Sequence, residues 1–330
     1  MSNNVARKVT ALPLHTRNYG KEVIVRALES RDIDQVVARV NERLAVDAQR
    51  NGLLNAGFSH QHFAAALRDA ASQTWIAEES GVVVGHLFGA LLDSPEYGRG
   101  AWVGPDGVSF DSAGVLDALY AEAGAEWIER QAIEHYAWVF DEPLDTTPWY
   151  ELGFARMHVR GVYALASREP SELPSGYHLR RGGPRDLELA LELDRVLDDA
   201  QQRGPSFALF VEHASRPDEM LEMLEDPDVR YHVVDYEGRG VAQCLTFGLE
   251  ARRGSFDDAL HVSALSVRPE HEHKGVARAV VDHALQEGFI DGFRFVETNW
   301  RVTNHRAAAF WLRYGFRPTY VRLHRTIGSG

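Results

Sequence analysis

From residue 177 onward the apolar positions switch repeatedly between two periods, and each switch marks an element. Tyr177 to Arg181 reads as a strand, and Arg185 to Leu197 carries its apolar residues at helical spacing. Tyr231–Tyr236 and Val241–Leu249 read as paired strands around the turn Glu237-Gly238-Arg239-Gly240. His261–Val267 reads as a buried strand. Gly275 to Phe289 sets Val276, Val280, Val281 and Leu285 at helical spacing, and Phe293–Thr298 returns to strand. Arg306–Tyr314 is a short helix ended by Gly315, and Phe316–Arg325 closes with strand. The predicted order is strand, helices, three strands, helix, strand, helix, strand.

The first half gives a similar order more faintly, and it shares landmarks with the second. Val25-Arg26 followed by Arg31-Asp32-Ile33 recurs, at a constant offset, as Leu179-Arg180 followed by Arg185-Asp186-Leu187. An aromatic stretch ends in Gly-Phe twice, at Trp149–Phe154 and at Trp311–Phe316. A repeat this long indicates duplicated domains, because solenoid units are shorter. Between the copies, residues 169–176 are rich in Pro, Ser, Gly and Glu, as a linker is. The expected division is a polar arm at 1–19, a domain at 20–168, the linker, and a domain at 177–330. The length of 330 residues suits two domains.

Charge narrows the partners. The formal net charge is −13, which argues against general binding of nucleic acid or anionic membrane. Any anionic ligand must therefore be held by a local feature. The single cysteine, Cys244, excludes an internal disulfide and argues against a cysteine-based zinc site, so no metal is expected. No apolar run is long enough to span a bilayer, and the first residues lack the apolar core of a signal peptide. A cytoplasmic monomer or homodimer is the expectation.

The chemistry concentrates in Leu265-Ser266-Val267-Arg268-Pro269-Glu270-His271-Glu272-His273-Lys274-Gly275-Val276-Ala277-Arg278. A buried strand passes through a polar loop into a helix. The first turn of a helix has amides without intrahelical partners, and with the helix dipole these attract an anion. Gly275 and Ala277 leave room for a phosphate near the backbone, and Lys274, Arg278 and Arg268 add positive charge. An ordinary strand–loop–helix connection has the same pattern, and spacing alone does not separate the two.

This segment resembles motif A of the GNAT acetyltransferases, V-x-P-E-Y-R-G-K-G-I-G-R-A-L-L. Val267, Pro269, Glu270, Lys274, Gly275, Arg278 and Ala279 match it, and Val276 and Ala277 replace residues of similar size. Further on, Asn304 to Phe316 resembles the family's N-x-x-A-x-x-F-Y-x-x-x-G-F, and Glu297–Asn304 with Gly315–Thr319 looks like an actinobacterial tandem-GNAT group. The resemblance covers 177–330 well and 20–168 faintly. It implies an α/β (α+β) chain of two tandem GNAT folds, each a mixed, mostly antiparallel twisted sheet flanked by helices. It implies acetyl-CoA as co-substrate, in a V-shaped gap between the strands at 261–267 and 293–298. The pyrophosphate would rest on the amides of Glu272, His273, Lys274, Gly275, Val276 and Ala277, with Arg278 nearby. The pantetheine arm would pair with Leu265, Ser266 and Val267, close to Asn304 and Trp311. An amine of a small molecule would then attack the thioester directly. The alternative is a GNAT-fold protein that binds acyl-CoA or a small ligand without turnover.

Three departures from the family pattern carry consequences. Glu272 stands where the family has Arg or Gln and opposes a pyrophosphate unless it turns away. His273 replaces the first loop glycine. Trp311 replaces a tyrosine that protonates the leaving thiolate in many members; indole cannot serve as an acid, and Tyr314 and Tyr320 are the substitutes. His261 falls where several members carry a general-base glutamate, and an imidazole near pKa ~6.5 suits that task. Strict alternation groups His261 with Leu265 and Val267 on the core side, as a structural histidine; a β-bulge before Leu265 changes its face. Glu297 is the alternative base. Cys244 reads as a buried small residue. In the first half the matching stretch, Trp102 to Leu116, has no basic residue, and Asp106 and Asp111 flank its helix start. That half reads as a structural partner, with Trp149 and Tyr150 as candidates to line a cleft. His60 and His62, two apart on a helix start, are poorly placed to share a metal.

Overall fold

The computed structural model of the chain describes residues 23–53, 72–94, 98–167, 169–208, 217–249 and 259–328. His60 and His62 lie outside them. The first half runs β1 (Ile24–Ala27), α1 (Ile33–Asn51), β2 (Ser72–Glu79), β3 (Val82–Ser94), β4 (Gly98–Val103), β5 (Val108–Phe110), α2 (Ala113–Glu129), β6 (Glu134–Phe140), α3 (Pro143–Glu151) and β7 (Ala155–Ala164). The second half repeats the scheme with β8 (Tyr177–Arg181), α4 (Leu187–Gln202), α5 (Pro217–Glu225), β9 (Val229–Tyr236), β10 (Arg239–Gly248), β11 (Ala259–Val267), α6 (Val276–Ile290), β12 (Phe295–Arg301), α7 (His305–Tyr314) and β13 (Arg317–Thr326). Helix α5 carried no signal strong enough to place it from sequence.

The repeated arginine and aspartate form the same device in both halves. Arg26 grips Asp32 with two hydrogen bonds of 2.7 and 2.9 Å, and Arg180 grips Asp186 at 3.1 and 2.7 Å. Each carboxylate also accepts the backbone N–H three residues earlier, from Glu29 and Gly183. The first strand is thereby tied to the first helix. The guanidinium in each pair holds its aspartate below the ordinary carboxylate range.

The strands form one sheet in the order β1-β2-β3-β4-β6-β13-β7-β12-β11-β10-β9-β8, with β5 on β3. Among the described residues, neighbours are antiparallel except β4 with β6 and β11 with β12. The order shows an exchange. Strand β13, the last of the second half, lies between β6 and β7, and β7, the last of the first half, lies between β13 and β12. Each half's sheet is completed by a strand of the other.

The sheet has two faces. On one, α2 and α3 cover a core with Val321 and Leu323, and α6 and α7 cover a core with Val159, Val296 and Trp300. Val321 pairs with Val159, so both cores share that face. On the other, α1 packs on Ile76 and Phe88, and α4 and α5 pack on Tyr231 and Leu245. Between α1 and α4, the second face of β6, β13, β7 and β12 carries polar and aromatic side chains.

Candidate active site

The parallel ladder between β11 and β12 is short. It joins Ala259–Val262 to Phe295–Thr298, and Thr298 Oγ1 donates to the Val262 carbonyl at 3.0 Å. Beyond that point β11 follows β10 and β12 follows β7, so the two strands part. One edge of residues 263–267 is left without a strand neighbour among the described residues.

A bulge sets which side chains face this gap. Against β10, Leu245 pairs with Ala264 and Thr246 with Val262, so Ser263 is the extra residue. The bulge shifts the alternation by one. Leu260 and Val262 before it, and Leu265 and Val267 after it, all pack on the α6 core. His261 therefore lies on the opposite face, and the core-side placement from strict alternation does not hold. His261 pairs in register with Glu297 on β12 and packs against Phe247, ring centroids 5.2 Å apart. Glu297 is 6% exposed, and its buried Oε2 accepts no hydrogen bond among the described residues. Two proton acceptors thus stand side by side at the base of the gap.

The loop above it has the backbone of an anion cradle. His273 and Gly275 both take left-handed φ, 59° and 86°. That conformation costs a residue with a Cβ about 1–2 kcal/mol, which explains why glycine fits the position His273 occupies. Gly275 is the N-cap of α6 and has no side chain to cap it, so its first amides receive no side-chain cap from that position. A Cβ on Gly275 would meet nothing within 4 Å, so the approach to these amides is open. Lys274 is exposed at the rim. Glu272 is turned aside into an ion pair with Arg306 on α7. The other basic residues are committed elsewhere. Arg268 is buried, donating to the Gly240 carbonyl at 2.9 Å and pairing with Glu192 at 2.8 Å. Arg278 lies 4.3 Å from the Tyr314 ring centroid and pairs with Asp282 at 3.3 Å.

The side chain of Asn304 caps α7 by accepting the Ala307 amide at 3.0 Å. Trp311 is buried among Phe310, Tyr314 and Phe316, so it is a core residue and no wall of the gap. The substitute acids also fail. Tyr314 is buried and donates to Asp282 at 2.6 Å. Tyr320 donates to Asp47 at 3.2 Å, and burial pushes its hydroxyl above the ordinary tyrosine range. Cys244 is fully buried, with its thiol pushed up to about 12 by desolvation.

Residues 194–316 match the acetyltransferase (GNAT) family model. The second half carries a GNAT domain. Solved structures extend the likeness to the whole chain. A GCN5-related N-acetyltransferase from Sphaerobacter thermophilus is 16% identical, with a TM-score of 0.55 over 93% of this chain and 96% of that one. A tandem GNAT protein from the clavulanic acid biosynthesis pathway is 18% identical, with a TM-score of 0.53 over 94% and 100%. A GCN5-related N-acetyltransferase from Kribbella flavida is 15% identical, with a TM-score of 0.51 over 75% and 89%. At these identities the likeness concerns the fold alone: two GNAT folds in tandem. No protein of curated function matches the chain in sequence.

The first GNAT fold has a gap of its own, altered at each key point. After Val103 the chain turns at 104–107, and β5 joins β3 in place of a straight continuation of β4. Asp106 is buried in that turn, its carbonyl in contact with His86 Nε2 at 3.0 Å. Asp111 pairs with Arg39 at 2.5 Å. A cavity of about 500 Å³ lies beside β5 and the end of β6, lined by Phe110, Val139, Leu144 and Trp149, with Arg43 and Asp145 also at its wall. Tyr150 is absent from that lining. The sequence reading missed Arg306 as the partner of Glu272, and it missed the basic residues of the exchanged strands. Their signal was present as alternation at Arg156, His158 and Arg160 and again at Arg322 and His324.

Proposed function

We propose that the protein transfers an acetyl group from acetyl-CoA to a primary amine of a small molecule by direct attack, in the GNAT domain of residues 177–330. The observation that carries this reading is the pairing of His261 with the buried Glu297, whose Oε2 accepts no hydrogen bond among the described residues, where β11 and β12 part beneath an open helix start. The residues present fit a CoA thioester. Amides 272–277 would receive the pyrophosphate, and the vacant edge at Leu265, Ser266 and Val267 would receive the pantetheine arm. Asn304 would offer its NH2 group. The thioester supplies an activated acyl carbon.

The chain's own residues orient the amine and remove its proton. Neutral His261 accepts a proton from the acceptor ammonium, directly or through a water, and Glu297 beside it favours the imidazolium that forms. The free amine then bonds to the acyl carbon as the carbon–sulfur bond breaks, and the second proton, shed by the acylated nitrogen, passes to water. With Trp311 in the core and Tyr314 bonded to Asp282, the sulfur leaves as thiolate, which needs no dedicated acid at a thiol pKa near ~8.5. The residues of 20–168 act as a structural partner joined through 169–176. The competing reading, acyl-CoA binding without turnover, draws on that missing acid.

A thiol-release assay with a panel of amines separates the two readings. Turnover that falls by ~10²–10⁴ in His261→Gln, with acetyl-CoA affinity kept, supports the base. Gly275→Asp should abolish acetyl-CoA binding measured by calorimetry at about one site per chain. Full turnover in His261→Gln with an unchanged pH profile would move the role to Glu297. No thiol release with any amine, despite tight acetyl-CoA binding, would leave the binding reading.

A further inference from the structure

The cavity of the first GNAT fold, about 500 Å³, falls in the size range of small-molecule pockets. Strand β4 pairs with β6 only as far as Val103 with Ala137, and β5 turns to β3. Val108 and Phe110 of β5 and Val139 of β6 therefore line the cavity from strands with no described pairing between them. Arg43 reaches the wall from α1 on one face of the sheet, and Trp149 reaches it from α3 on the other.

Acceptors and donors fare differently at this wall. Asp111 accepts from Arg39 at 2.5 Å, Asp145 from Arg50 at 2.8 Å, and Ser109 Oγ from Arg39 Nε at 3.2 Å. Nε and Nη2 of Arg43 and Nε1 of Trp149 are buried and find no hydrogen-bond acceptor among the described residues. Nε and Nη2 share one edge of the guanidinium, the planar fork that takes a carboxylate with two parallel bonds. Arg43 makes no ion pair among the described residues, and Asp47 and Asp145 act on it through their charge at a distance. Burial raises both of those carboxyls above the ordinary carboxylate range, which weakens them as counter-charges. A buried donor without an acceptor destabilises the empty fold, and a ligand that supplies the acceptor relieves it. The rest of the lining is mostly apolar: Phe110, Val139 and Leu144 stand with the Trp149 ring, and Leu144 is 73% exposed. One unpaired cation suits a single negative charge, because Asp111 and Asp145 at the same wall oppose a second.

We infer that the cavity of the first fold binds a monocarboxylate with an aromatic or alkyl body, its carboxylate on the Arg43 fork and its body against Phe110, Val139 and Leu144. The inference goes beyond the acyl-transfer reading, and its test needs no acyl donor. Calorimetry of the full chain compares 4-phenylbutyrate, 4-phenylbutanamide and 3-phenylpropyl phosphate. The acid should bind at about one site per chain, at least about tenfold more tightly than the amide and more tightly than the phosphate. Excess acetyl-CoA should leave the acid bound. Arg43→Met should weaken the acid about ten- to a hundredfold and change the amide little. That substitution breaks no hydrogen bond or ion pair among the described residues, so the ligand-free variant should melt no lower than the parent. The acid should raise the melting temperature of the parent and not of the variant. Leu144→Glu, at an exposed position, sets a carboxylate near the bound one and should weaken the acid at least about fivefold, and the amide less. Equal binding of acid and amide, no binding of either, tighter binding of the phosphate, displacement by acetyl-CoA, or full acid affinity in either variant overturns the inference. A fall in the melting temperature of ligand-free Arg43→Met makes Arg43 a structural residue and overturns it as well.

Discussion

Gly161→Ala tests whether the exchanged strand is as tightly set as the register implies. Gly161 lies on β7 opposite Thr298 of β12 and Pro318 of β13, where the two halves interlock. A Cβ there would come within 2.4 and 2.5 Å of Cζ3 and Cη2 of Trp300, and 3.4 Å from Cβ of Phe316. Carbon atoms rest at about 3.5–4.0 Å, so the overlap exceeds ~1 Å. Trp300 is 5% exposed, and its ring has packed neighbours to displace. Overpacking of this kind costs about 1–3 kcal/mol, which for a chain of this size lowers the melting temperature by roughly 2–10 °C. Because β12 also carries Glu297, thiol-release turnover should fall as well. Thermal and urea unfolding of Gly161→Ala, Trp300→Leu and the double variant forms the assay. Leucine removes the obstructing ring atoms, so the double variant should lose about 1–2 kcal/mol less than the two single losses combined. Strict additivity, or an alanine variant as stable as the parent, refutes the geometry.

Three further outcomes are expected. Asp32→Asn and Asp186→Asn should each destabilise the fold by about 1.5–3 kcal/mol at pH 7, read by urea unfolding. Both carboxyls are depressed in the fold, so their contribution is present above about pH 4 and lost as pH falls through the folded value. The parent and the variants should therefore converge in acid, and a constant difference down to about pH 2 contradicts the pairing. Expressed separately, residues 20–168 and 177–330 should each fail to fold cooperatively, since each lacks a central strand, and should recover circular dichroism on mixing; two independently folded halves argue against the exchange. Trp311→Phe should keep most turnover, and a loss of about a hundredfold with folding intact would mean that the indole does more than pack.

Much of the second half was legible because its signals are local. The strand Tyr177–Arg181 was placed to the residue, since alternation and flanking turns define it. The loop before α6 was legible because a left-handed Gly275 and an uncapped helix start leave marks in sequence. The repeated Arg-Asp signal marked a duplication, and the structure shows it to be one ion pair built twice. The bulge at Ser263 was visible only as an option, because a one-residue slip is decided by the neighbouring strand and not by its own sequence. Likewise, Arg160, Arg301 and Arg322 meet through pairings between distant strands, which no local period reveals.

The strand exchange gives the first GNAT fold a role that does not depend on a cofactor. Its own gap carries Asp111 and Asp145 beside a single lining arginine, Arg43, and its helix α2 starts from Ser112 in extended backbone where α6 starts from the left-handed Gly275. Yet β7 is the strand on which β12 rests for its whole length, from Phe295 to Arg301. Past Thr298, β12 has no other described strand neighbour, so the position of Asn299 and Arg301 across the gap is set by β7. The gap is open only because β12 holds its course after leaving β11. A strand with one neighbour on one edge keeps that course only as well as the neighbour is anchored, and β7 is anchored on its other edge by β13. The architecture of the proposed site thus runs in a loop through both halves: the second half lends β13 to fix β7, and β7 fixes the strand that keeps the second half's gap apart.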